Sequence, residues 1–564
     1  MEIIINIEKA KSRFDTLLIN NKYIHSKYNP EKEADNIVFE NKNIISIFGA
    51  GLCYHINNII KNNSESIFIV YEPVEEIFNL IDRYLTKDID RSKILVLNKI
   101  DFGHIYTFIE NNNILATARI KYYSNPGYKN LFPNLELKFF ETIKNCYELF
   151  TQNILTESHF YSLWSKNFIK NFFLLSEKPI LNIKKMDLLD NIAVIVCAGP
   201  TLFNDIEYLK EFRDKITIFC VDTAFKTLFK NNVKPDFVIS LDGQHHSIYD
   251  FFDLDNTTIV LFDITAYPYL CREYKNSYFT TTENLLKSGI IEYFFKKFSL
   301  NIQGISVGGT VADYAFKLAI NLGFRNILFC GLDLSYPDLI THCKESPYYE
   351  KIMLESSYFN NPETIMIKNI SQRNIKIARS KLGRNIISDF VLLNYKENFN
   401  LFAEYKKDIK IFNSLNNGIL IENFKDVDIF DFLKKSDSFR IEGNDIILRL
   451  DRIKIQKEEI MNFYRDLEKE LYDNSLIIKE ILENTDFSQN NLDILNKIKF
   501  KIQNILKNYP FLNKFITMTN IILNKKNITE NNLIYYKHIS HALLQSIYFL
   551  IRNIQKNTQK FIEK

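Results

Sequence analysis

Apolar runs that end at small or acidic residues recur through the middle of the chain. Four runs of strand length share this pattern: residues 192–198, 216–221, 237–241 and 326–330. The residues that follow them directly are Gly199, Asp222, Asp242 and Gly331. Runs of this kind, separated by helix-like segments, are typical of a doubly wound sheet of parallel strands. Because the carboxyl ends of such strands line one crevice, the pattern predicts a nucleotide-type site there.

The pattern differs on both sides of this central part. Residues 44–51 lead from a strand into a glycine turn, and residues 66–71 and 93–97 are further predicted strands. Beyond Gly443, long stretches have the apolar spacing of helices: residues 445–484, 491–508 and 531–555. We therefore predict an α/β protein with three domains: a Rossmann-like N-terminal domain (1–180), a central doubly wound α/β domain (181–435) and a C-terminal helical bundle (436–564).

Composition narrows the class of protein. A chain of 564 residues is long enough for two or three domains. The 71 basic and 68 acidic residues give a net charge of +3, so we expect no binding of nucleic acid. No apolar run reaches the roughly 18 residues that span a bilayer, and no secretory leader is recognisable, so we expect no membrane insertion. The seven cysteines include no C-x-x-C pair, which favours reduced thiols in a cytoplasmic protein.

Two loops of small residues are candidates for nucleotide binding. The first is Gly199, Pro200 and Thr201, where backbone amides can approach a phosphate and the next helix offers a positive N-terminus. The second loop precedes an amphipathic helix over residues 311–320 and contains Ser306, Gly308, Gly309 and Thr310. Two such loops on one sheet would hold both ends of a nucleotide.

Acidic residues and one histidine supply the candidate chemistry. Asp222, Asp242 and Asp333 each follow a predicted strand, where a carboxylate accepts hydrogen bonds from ribose or base, or binds Mg²⁺. His342 lies nine residues after Asp333, in a loop expected to hang over the same crevice, and is a candidate proton acceptor. The adjacent pair His245 and His246 lacks a complete ligand set, so no metal site is predicted.

The N-terminal glycine turn has two interpretations. Gly49 and Gly51 precede an acid, Glu72, by about twenty residues, which is the arrangement of dinucleotide and S-adenosylmethionine sites. Tyr54 occupies the position of the third glycine. This departure favours a tight turn in a Rossmann-like domain that carries no cofactor.

Ordered motifs extend over nearly the whole length of the chain. They are Phe48-Gly-Ala-Gly-Leu, Tyr71-Glu-Pro, Cys197-Ala-Gly-Pro-Thr-Leu, Val221-Asp-Thr-Ala, Lys234-Pro-Asp-Phe-Val-Ile-Ser-Leu-Asp242, Ser306-Val-Gly-Gly-Thr-Val-Ala, Leu322-Gly323, Cys330-Gly-Leu-Asp-Leu-Ser, Thr341-His342, Phe412-Asn-Ser and Gly418-Ile-Leu-Ile. In these motifs the chain resembles the motility-associated factor (Maf) glycosyltransferases, cytoplasmic bacterial enzymes that modify flagellin. The resemblance implies a central domain similar to bacterial sialyltransferases. It also implies transfer of a nonulosonic acid, of pseudaminic or legionaminic type, from its CMP-activated form to Ser or Thr of flagellin.

The resemblance also implies roles for individual residues. The expected contacts to the nucleotide and the donor sugar are Gly199, Pro200, Thr201, Asp222, Thr223, Asp242, Gln244, Ser306, Gly308, Gly309, Thr310 and Gly331. His342 is the expected base, and Asp333 would orient either His342 or the donor. No cofactor or metal is required, because backbone amides can stabilise the departing CMP.

Three other functions stay open. The central part is also similar to archaeal 6-hydroxymethylpterin pyrophosphokinases, in which Asp222, Asp242 and Asp333 would bind Mg²⁺. A non-catalytic flagellin-binding or export chaperone would use the helical bundle as its working surface. A methyltransferase would use the glycine turn with Glu72. The donor sugar, the acceptor residues and the oligomeric state are not determined by the sequence.

Overall fold

The computed structural model describes residues 3–35, 44–112, 118–252, 257–286, 289–488, 491–526, 528 and 532–562. Its chain forms two compact units. The first contains Met1–His159 and Thr517–Tyr535, and the second contains Phe160–Ile516 and Tyr536–Lys564.

The first unit contains two small sheets. Its strands are β1 (Ile5–Lys9), β2 (Asp15–Ile19), β3 (Lys22–Tyr23), β4 (Ile44–Phe48), β5 (Ile67–Tyr71), β6 (Ile94–Leu97) and β7 (Ile120–Ser124). Strands β1 to β3 form an antiparallel sheet, and the other four form a parallel sheet in the order β6-β5-β4-β7. The helices are α1 (Pro30–Ala34), α2 (Tyr54–Asn62), α3 (Glu75–Phe78), α4 (Ile81–Tyr84), α5 (Phe102–Asn111), α6 (Pro126–Leu131) and α7 (Pro133–Leu174), which belongs to the second unit from Phe160 onwards.

The parallel sheet of the first unit confirms the three predicted strands as β4, β5 and β6. All residues of β4 and β5 are buried, as expected for strands covered on both faces, and this is why they appear as continuous apolar runs. Strand β7 escapes prediction because its sequence, Ile-Lys-Tyr-Tyr-Ser, has neither a continuous apolar run nor a clear alternation.

One ten-stranded sheet organises the second unit. Its strands are β8 (Ile180–Asn182), β9 (Leu188–Val196), β10 (Ile216–Val221), β11 (Phe237–Ser240), β12 (Ile259–Asp263), β13 (Ser277–Thr280), β14 (Phe324–Cys330), β17 (Lys410–Ser414), β18 (Lys425–Val427) and β19 (Asp451–Ile453). They lie in the order β18-β17-β14-β9-β10-β11-β12-β13-β8-β19, and every neighbouring pair is parallel except β8 and β19. Strands β15 (Ile375–Arg379) and β16 (Asn385–Asp389) form a separate antiparallel hairpin.

Helices connect the strands of the second unit and follow the last one. They are α8 (Ile206–Glu211), α9 (Asp222–Lys230), α10 (Ile248–Phe251), α11 (Pro268–Glu273), α12 (Glu283–Leu286), α13 (Gly289–Lys297), α14 (Val311–Leu322), α15 (Pro347–Glu355), α16 (Pro362–Ser371), α17 (Phe390–Tyr405), α18 (Ile429–Lys434), α19 (Gly443–Arg449), α20 (Lys457–Asn484), α21 (Leu492–Asn508), α22 (Leu512–Lys525) and α23 (Leu533–Ile562). Residues 517–525 of α22 and 533–535 of α23 belong to the first unit. The mostly parallel large sheet, the N-terminal sheets and the C-terminal helices confirm the predicted α/β fold class.

Two predicted elements differ from the structure. The helix expected to follow Gly199, Pro200 and Thr201 is instead a 3-10 turn at Pro200–Asn204 followed by the short helix α8. The periodic stretch 445–484 is not one helix, because residues 451–453 form β19, which pairs with β8 at the edge of the large sheet. Helical periodicity in sequence does not reveal a three-residue strand that is recruited by a distant partner.

Candidate functional site

The strand order of the large sheet reverses between β9 and β14. After β9 the chain continues to β10 on one side, and after β14 it returns to β17 on the other side. The two connections diverge at this point, which is the usual place for a ligand crevice in an open α/β sheet. Gly199 and Gly331, both predicted site residues, follow these two strands.

The two strand ends approach too closely for side chains. A Cβ on Gly199 would lie 2.3 Å from the carbonyl oxygen of Gly331 and 2.5 Å from Oδ2 of Asp333. Gly331 has a φ of 70°, and a Cβ there would lie 2.4 Å from the carbonyl oxygen of Cys197. Glycine is needed at both positions because any side chain would meet backbone atoms.

A hydrogen-bonded pair crosses the crevice. The backbone N–H of Thr201 donates to Oδ2 of Asp333 at 2.8 Å, and the Thr201 hydroxyl donates to Oδ1 at 2.5 Å. Asp333 is buried, and burial raises the pKa of its carboxyl group against the opposing effect of these bonds. No hydrogen bond joins Asp333 to His342 in the described part of the chain. Asp333 therefore holds the turn formed by Gly199, Pro200 and Thr201, and it does not hold the His342 side chain.

A half-buried lysine that sequence analysis missed lies beside this pair. The Lys381 ammonium group donates to the carbonyl oxygen of Ser414 at 2.6 Å, and its charge acts on Asp333 and Asp205. Asp205 accepts from the Ser414 hydroxyl at 2.7 Å, while its Oδ2 is buried without a partner among the described residues. Burial raises the pKa of Asp205 to about 6. Lys381 lies in the turn of the β15–β16 hairpin, where a lysine in the sequence indicates only a solvated surface.

We expect removal of the Thr201 hydroxyl to destabilise the protein. In Thr201→Val, Oδ1 of buried Asp333 loses its hydroxyl donor, and the free energy of unfolding should fall by about 1–3 kcal/mol. Thr201→Ser keeps the hydroxyl group and is the matched control, with an expected loss below about 1 kcal/mol. Urea unfolding measures both variants, and equal stability of the two would contradict a structural role for this bond.

Carboxyl groups cluster at the ends of β10 and β11. Asp222 is buried and its Oδ1 accepts from the N–H of Thr223 at 2.9 Å, while Asp242 Oδ1 accepts from the N–H of Gln244 at 2.8 Å. Burial, together with the neighbouring charges, raises the pKa of both Asp222 and Asp250. Such a cluster favours a ligand that brings hydroxyl or amino donors, or a cation.

Two members of this cluster were not among the predicted site residues. Asp250 lies on the short helix α10, and its charge interacts with those of Asp222 and Asp242. His246 was set aside in the sequence analysis, but its Nε2 lies 3.4 Å from Oδ2 of Asp242. The turn after β11 places His246 and Asp250 near Asp242 at the end of that strand. No local sequence pattern indicates this proximity.

The His342 loop is fastened to the end of β9. The N–H of Cys343 donates to the carbonyl oxygen of Ala198 at 2.9 Å, so His342 lies next to the crevice. Its ring packs on Tyr348 with ring centroids 4.5 Å apart. Burial, with a smaller effect from Arg373, lowers the pKa of His342 to about 4. The imidazole is therefore neutral near pH 7, and its buried Nδ1 has no partner among the described residues.

The second small-residue loop lies at the same edge of the sheet, because α14 runs antiparallel to β14 and its N-terminus is at the carboxyl ends of the strands. Thr310 caps α14 by accepting from the N–H of Asp313 at 2.9 Å. The N–H of Gly308 donates to the Asp313 carboxylate at 2.5 Å, so this amide is already engaged. Ser306 and Gly309 are exposed and are the members of this loop that face solvent.

In the first unit, a buried carboxylate occupies the glycine turn. Oε2 of Glu72 accepts from the N–H groups of Ala50 and Gly51 at 2.9 and 3.2 Å, and Oε1 accepts from the N–H of Val74 at 2.9 Å. These are the amides that would bind the phosphate or carboxylate of a cofactor. The oxygens of the Glu72 carboxyl group already engage these amides, which agrees with a tight turn rather than with a cofactor site.

One group of possible metal ligands occurs among the described residues. Ligand atoms of His25, Glu33 and His55 lie within 4.8 Å of one another. However, Nε2 of His25 accepts from the N–H of Leu52 at 2.9 Å, so a neutral His25 carries its proton on Nδ1. That buried nitrogen then has no lone pair for a metal, and the group is not a good zinc site.

We expect the buried histidines of the first unit to make it sensitive to acid. Burial lowers the pKa of His55 to about 4, while an unfolded histidine has a pKa near 6.5, so the unfolded state binds more protons between these values. Stability is lost as the pH falls through this window. When the pH falls from 7 to 5, the free energy of unfolding of the His55→Leu variant should decrease by about 2 kcal/mol less than that of the wild-type protein. Urea unfolding measures both proteins. An identical loss in both proteins would contradict this expectation.

Comparisons with known proteins support the fold. A family model described as "6-hydroxymethylpterin diphosphokinase MptE-like" matches residues 166–339. An uncharacterised protein of Treponema pallidum (strain Nichols) is 28% identical over 184 residues, which cover 30% of this chain and 84% of the relative. The structure of MAf glycosyltransferase from Magnetospirillum magneticum AMB-1 is similar with a TM-score of 0.58 and 12% identity, over 99% of this chain and 95% of that chain.

The structural similarity confirms the resemblance to Maf glycosyltransferases at the level of the fold. It extends over the whole chain, whereas the family model covers only the central part. Among the helices that the structure describes, none is both long and apolar enough to cross a membrane.

Proposed function

We propose that this protein is a glycosyltransferase that moves a nonulosonic acid from a CMP-activated donor to Ser or Thr of flagellin, in the cytoplasm. The observation that carries the proposal is the similarity to a Maf glycosyltransferase over 99% of the chain. The crevice between β9 and β14 supports it, because it combines a small-residue turn with a neutral histidine beside it.

In the proposed reaction, the acceptor hydroxyl oxygen forms a bond to the anomeric carbon of the sugar. The bond between that carbon and the phosphate oxygen breaks, and CMP leaves with the electron pair. The hydroxyl proton moves to the imidazole of His342, which is unprotonated near neutral pH. The turn at Gly199, Pro200 and Thr201, held by Asp333, would face the departing phosphate.

The carboxyl cluster would bind the rest of the donor. Asp222 and Asp242 offer acceptor oxygens for the hydroxyl groups of ribose or of the sugar, and for amino groups of the base. Lys381 lies behind the phosphate turn, and its positive charge would favour an anion there. No metal is needed for this scheme.

A Mg²⁺-dependent pyrophosphokinase acting on a pterin-like substrate is the second candidate. The family model over residues 166–339 favours it, and so does the carboxyl cluster, because carboxylate oxygens are the ligands that Mg²⁺ prefers. Asp222, Asp242 and Asp250 would then be the metal ligands. Asp333 is a poorer ligand than the sequence suggests, since Thr201 already engages both of its oxygens.

Isothermal titration with CMP and with ATP, each with and without Mg²⁺, separates the two candidates. Under the glycosyltransferase proposal, CMP binds without metal, and Asp242→Asn weakens this binding by about tenfold or more. Asp473→Asn, which changes an exposed residue of α20, is the control for the loss of one charge. Binding of ATP that requires Mg²⁺, without a response to CMP, would favour the pyrophosphokinase.

The acceptor is tested by transfer itself. Purified protein, a CMP-activated nonulosonic acid and flagellin are incubated, and intact mass spectrometry reports the added sugar. Modified Ser or Thr residues are then located in peptides. If the protein binds neither CMP nor ATP but still binds flagellin, the result would instead favour the chaperone function.

A further inference from the structure

A basic cavity lies in the second unit, between the C-terminal part of α7 and helix α23. Its volume is about 610 Å³. Four cationic side chains line it, together with a tyrosine and a buried amide: Lys166, Lys170, Arg552, Lys556, Tyr548 and Asn557. None of the lining residues that the structure describes is acidic.

The spacing of the cations directs them into the same space. Lys166 and Lys170 are four residues apart on α7, and Arg552 and Lys556 are four residues apart on α23, so each pair lies on one face of its helix. Like charges at this spacing repel each other and destabilise a helix. An anion in the cavity would remove this repulsion, because it would be shared by both pairs.

The cavity also contains a hydrogen-bond donor that lacks an acceptor. Asn557 is only 9% exposed, and its Nδ2 is buried without a partner among the described residues. A buried N–H group without an acceptor costs free energy, which a ligand oxygen would recover. Cations and an amide donor together suit a ligand that is rich in acceptor oxygens and negatively charged.

A charged group of the neighbouring helix α20 lies beside the cavity. The Glu468 carboxylate accepts from the side chain of Gln555 at 2.8 Å, and Gln555 does not line the cavity. Lys479 lies 5.5 Å from the centre of the Tyr548 ring and adds further positive charge beside the cavity. The local excess of positive charge contrasts with the net charge of +3 for the whole chain.

We propose that this cavity binds a phosphate-bearing small molecule. Its volume lies within the range of small-molecule sites, and phosphate supplies the negative charge that the lining lacks and acceptor oxygens for its donors. This site goes beyond the proposed transfer reaction and does not depend on it. It has a physical connection to the crevice, because Asn167, next to Lys166, donates to the carbonyl oxygens of Gly243 and Thr265 at 2.8 and 3.0 Å.

Titration of the full chain with inorganic pyrophosphate tests the proposal. We expect binding that weakens at least about tenfold in Arg552→Gln and in Lys556→Gln, since each variant loses a charge-assisted hydrogen bond. Lys497→Gln removes one exposed charge of α21 outside the cavity and should bind within about twofold of the wild type. Both cavity variants change exposed residues, and a thermal melt checks that they fold.

Amine labelling locates the bound anion. Lysine acylation followed by mass spectrometry should show protection of Lys166 and Lys556 by pyrophosphate, and no change at Lys497. Pyrophosphate that fails to bind, that binds all variants equally, or that leaves both cavity lysines unprotected would overturn the proposal. Binding of citrate in place of pyrophosphate would also overturn it, because the cavity would then select carboxylates. None of these outcomes depends on whether CMP binds in the crevice.

Discussion

His342→Ala should lower the rate of sugar transfer by about 10²–10⁴-fold, the usual range for loss of a general base. The imidazole lies beside the crevice, is neutral near pH 7 and has a buried Nδ1 without a partner among the described residues. Removing it should leave binding of CMP within about twofold, since His342 acts on the acceptor hydroxyl. Mass spectrometry measures the transfer rate of the variant, and isothermal titration measures its binding of CMP.

The pH dependence adds a second test of His342. Because burial lowers its pKa to about 4, the base stays unprotonated down to that pH. Transfer by the wild-type protein at low donor concentration should therefore show an acid limb near pH 4, and the variant should lack it. His104→Ala, which changes an exposed histidine of α5, is the control and should transfer at the wild-type rate. A His342 variant that keeps more than about a tenth of the rate would exclude His342 as the base.

Glu72→Ala should lower the free energy of unfolding by about 3 kcal/mol or more. The substitution removes the acceptor of three buried N–H groups, those of Ala50, Gly51 and Val74, and each lost acceptor costs about 1–3 kcal/mol. Glu76→Ala, at an exposed position of α3, should change stability by less than about 0.5 kcal/mol. Urea unfolding followed by circular dichroism measures both variants.

The charge of Glu72 makes the effect depend on pH. Burial raises its pKa to about 7, well above the value of an unfolded glutamate, so the folded state binds more protons between these values. The contribution of this group is therefore fully present at low pH and is lost as the pH rises through 7. The stability difference between the wild type and Glu72→Gln should grow by about 2 kcal/mol from pH 8 to pH 5. A difference that is constant with pH would show that Glu72 is ionised in the fold.

The candidate site could be predicted from sequence only in part. Gly199, Asp222, Asp242 and Gly331 were predicted because each lies at or just beyond the carboxyl end of a strand, and the ends of parallel strands share one edge. Lys381 and Asp250 were missed, because each reaches the site from a turn or a short helix that local sequence marks as surface. Asp333 was expected to orient either His342 or the donor. A hydrogen bond to His342 is not formed among the described residues, since both oxygens of Asp333 accept from Thr201.

The sequence by itself determined the α/β class, the buried parallel strands and the long C-terminal helices, because these depend on the local periodicity of apolar residues. Only the tertiary structure decided which polar groups meet. It joined Thr201 to Asp333 across 132 positions, placed Glu72 on the amides of the glycine turn and brought α7 to α23 around the basic cavity. Such contacts depend on strand order and helix packing, which bring together residues whose separation in sequence carries no periodic signal.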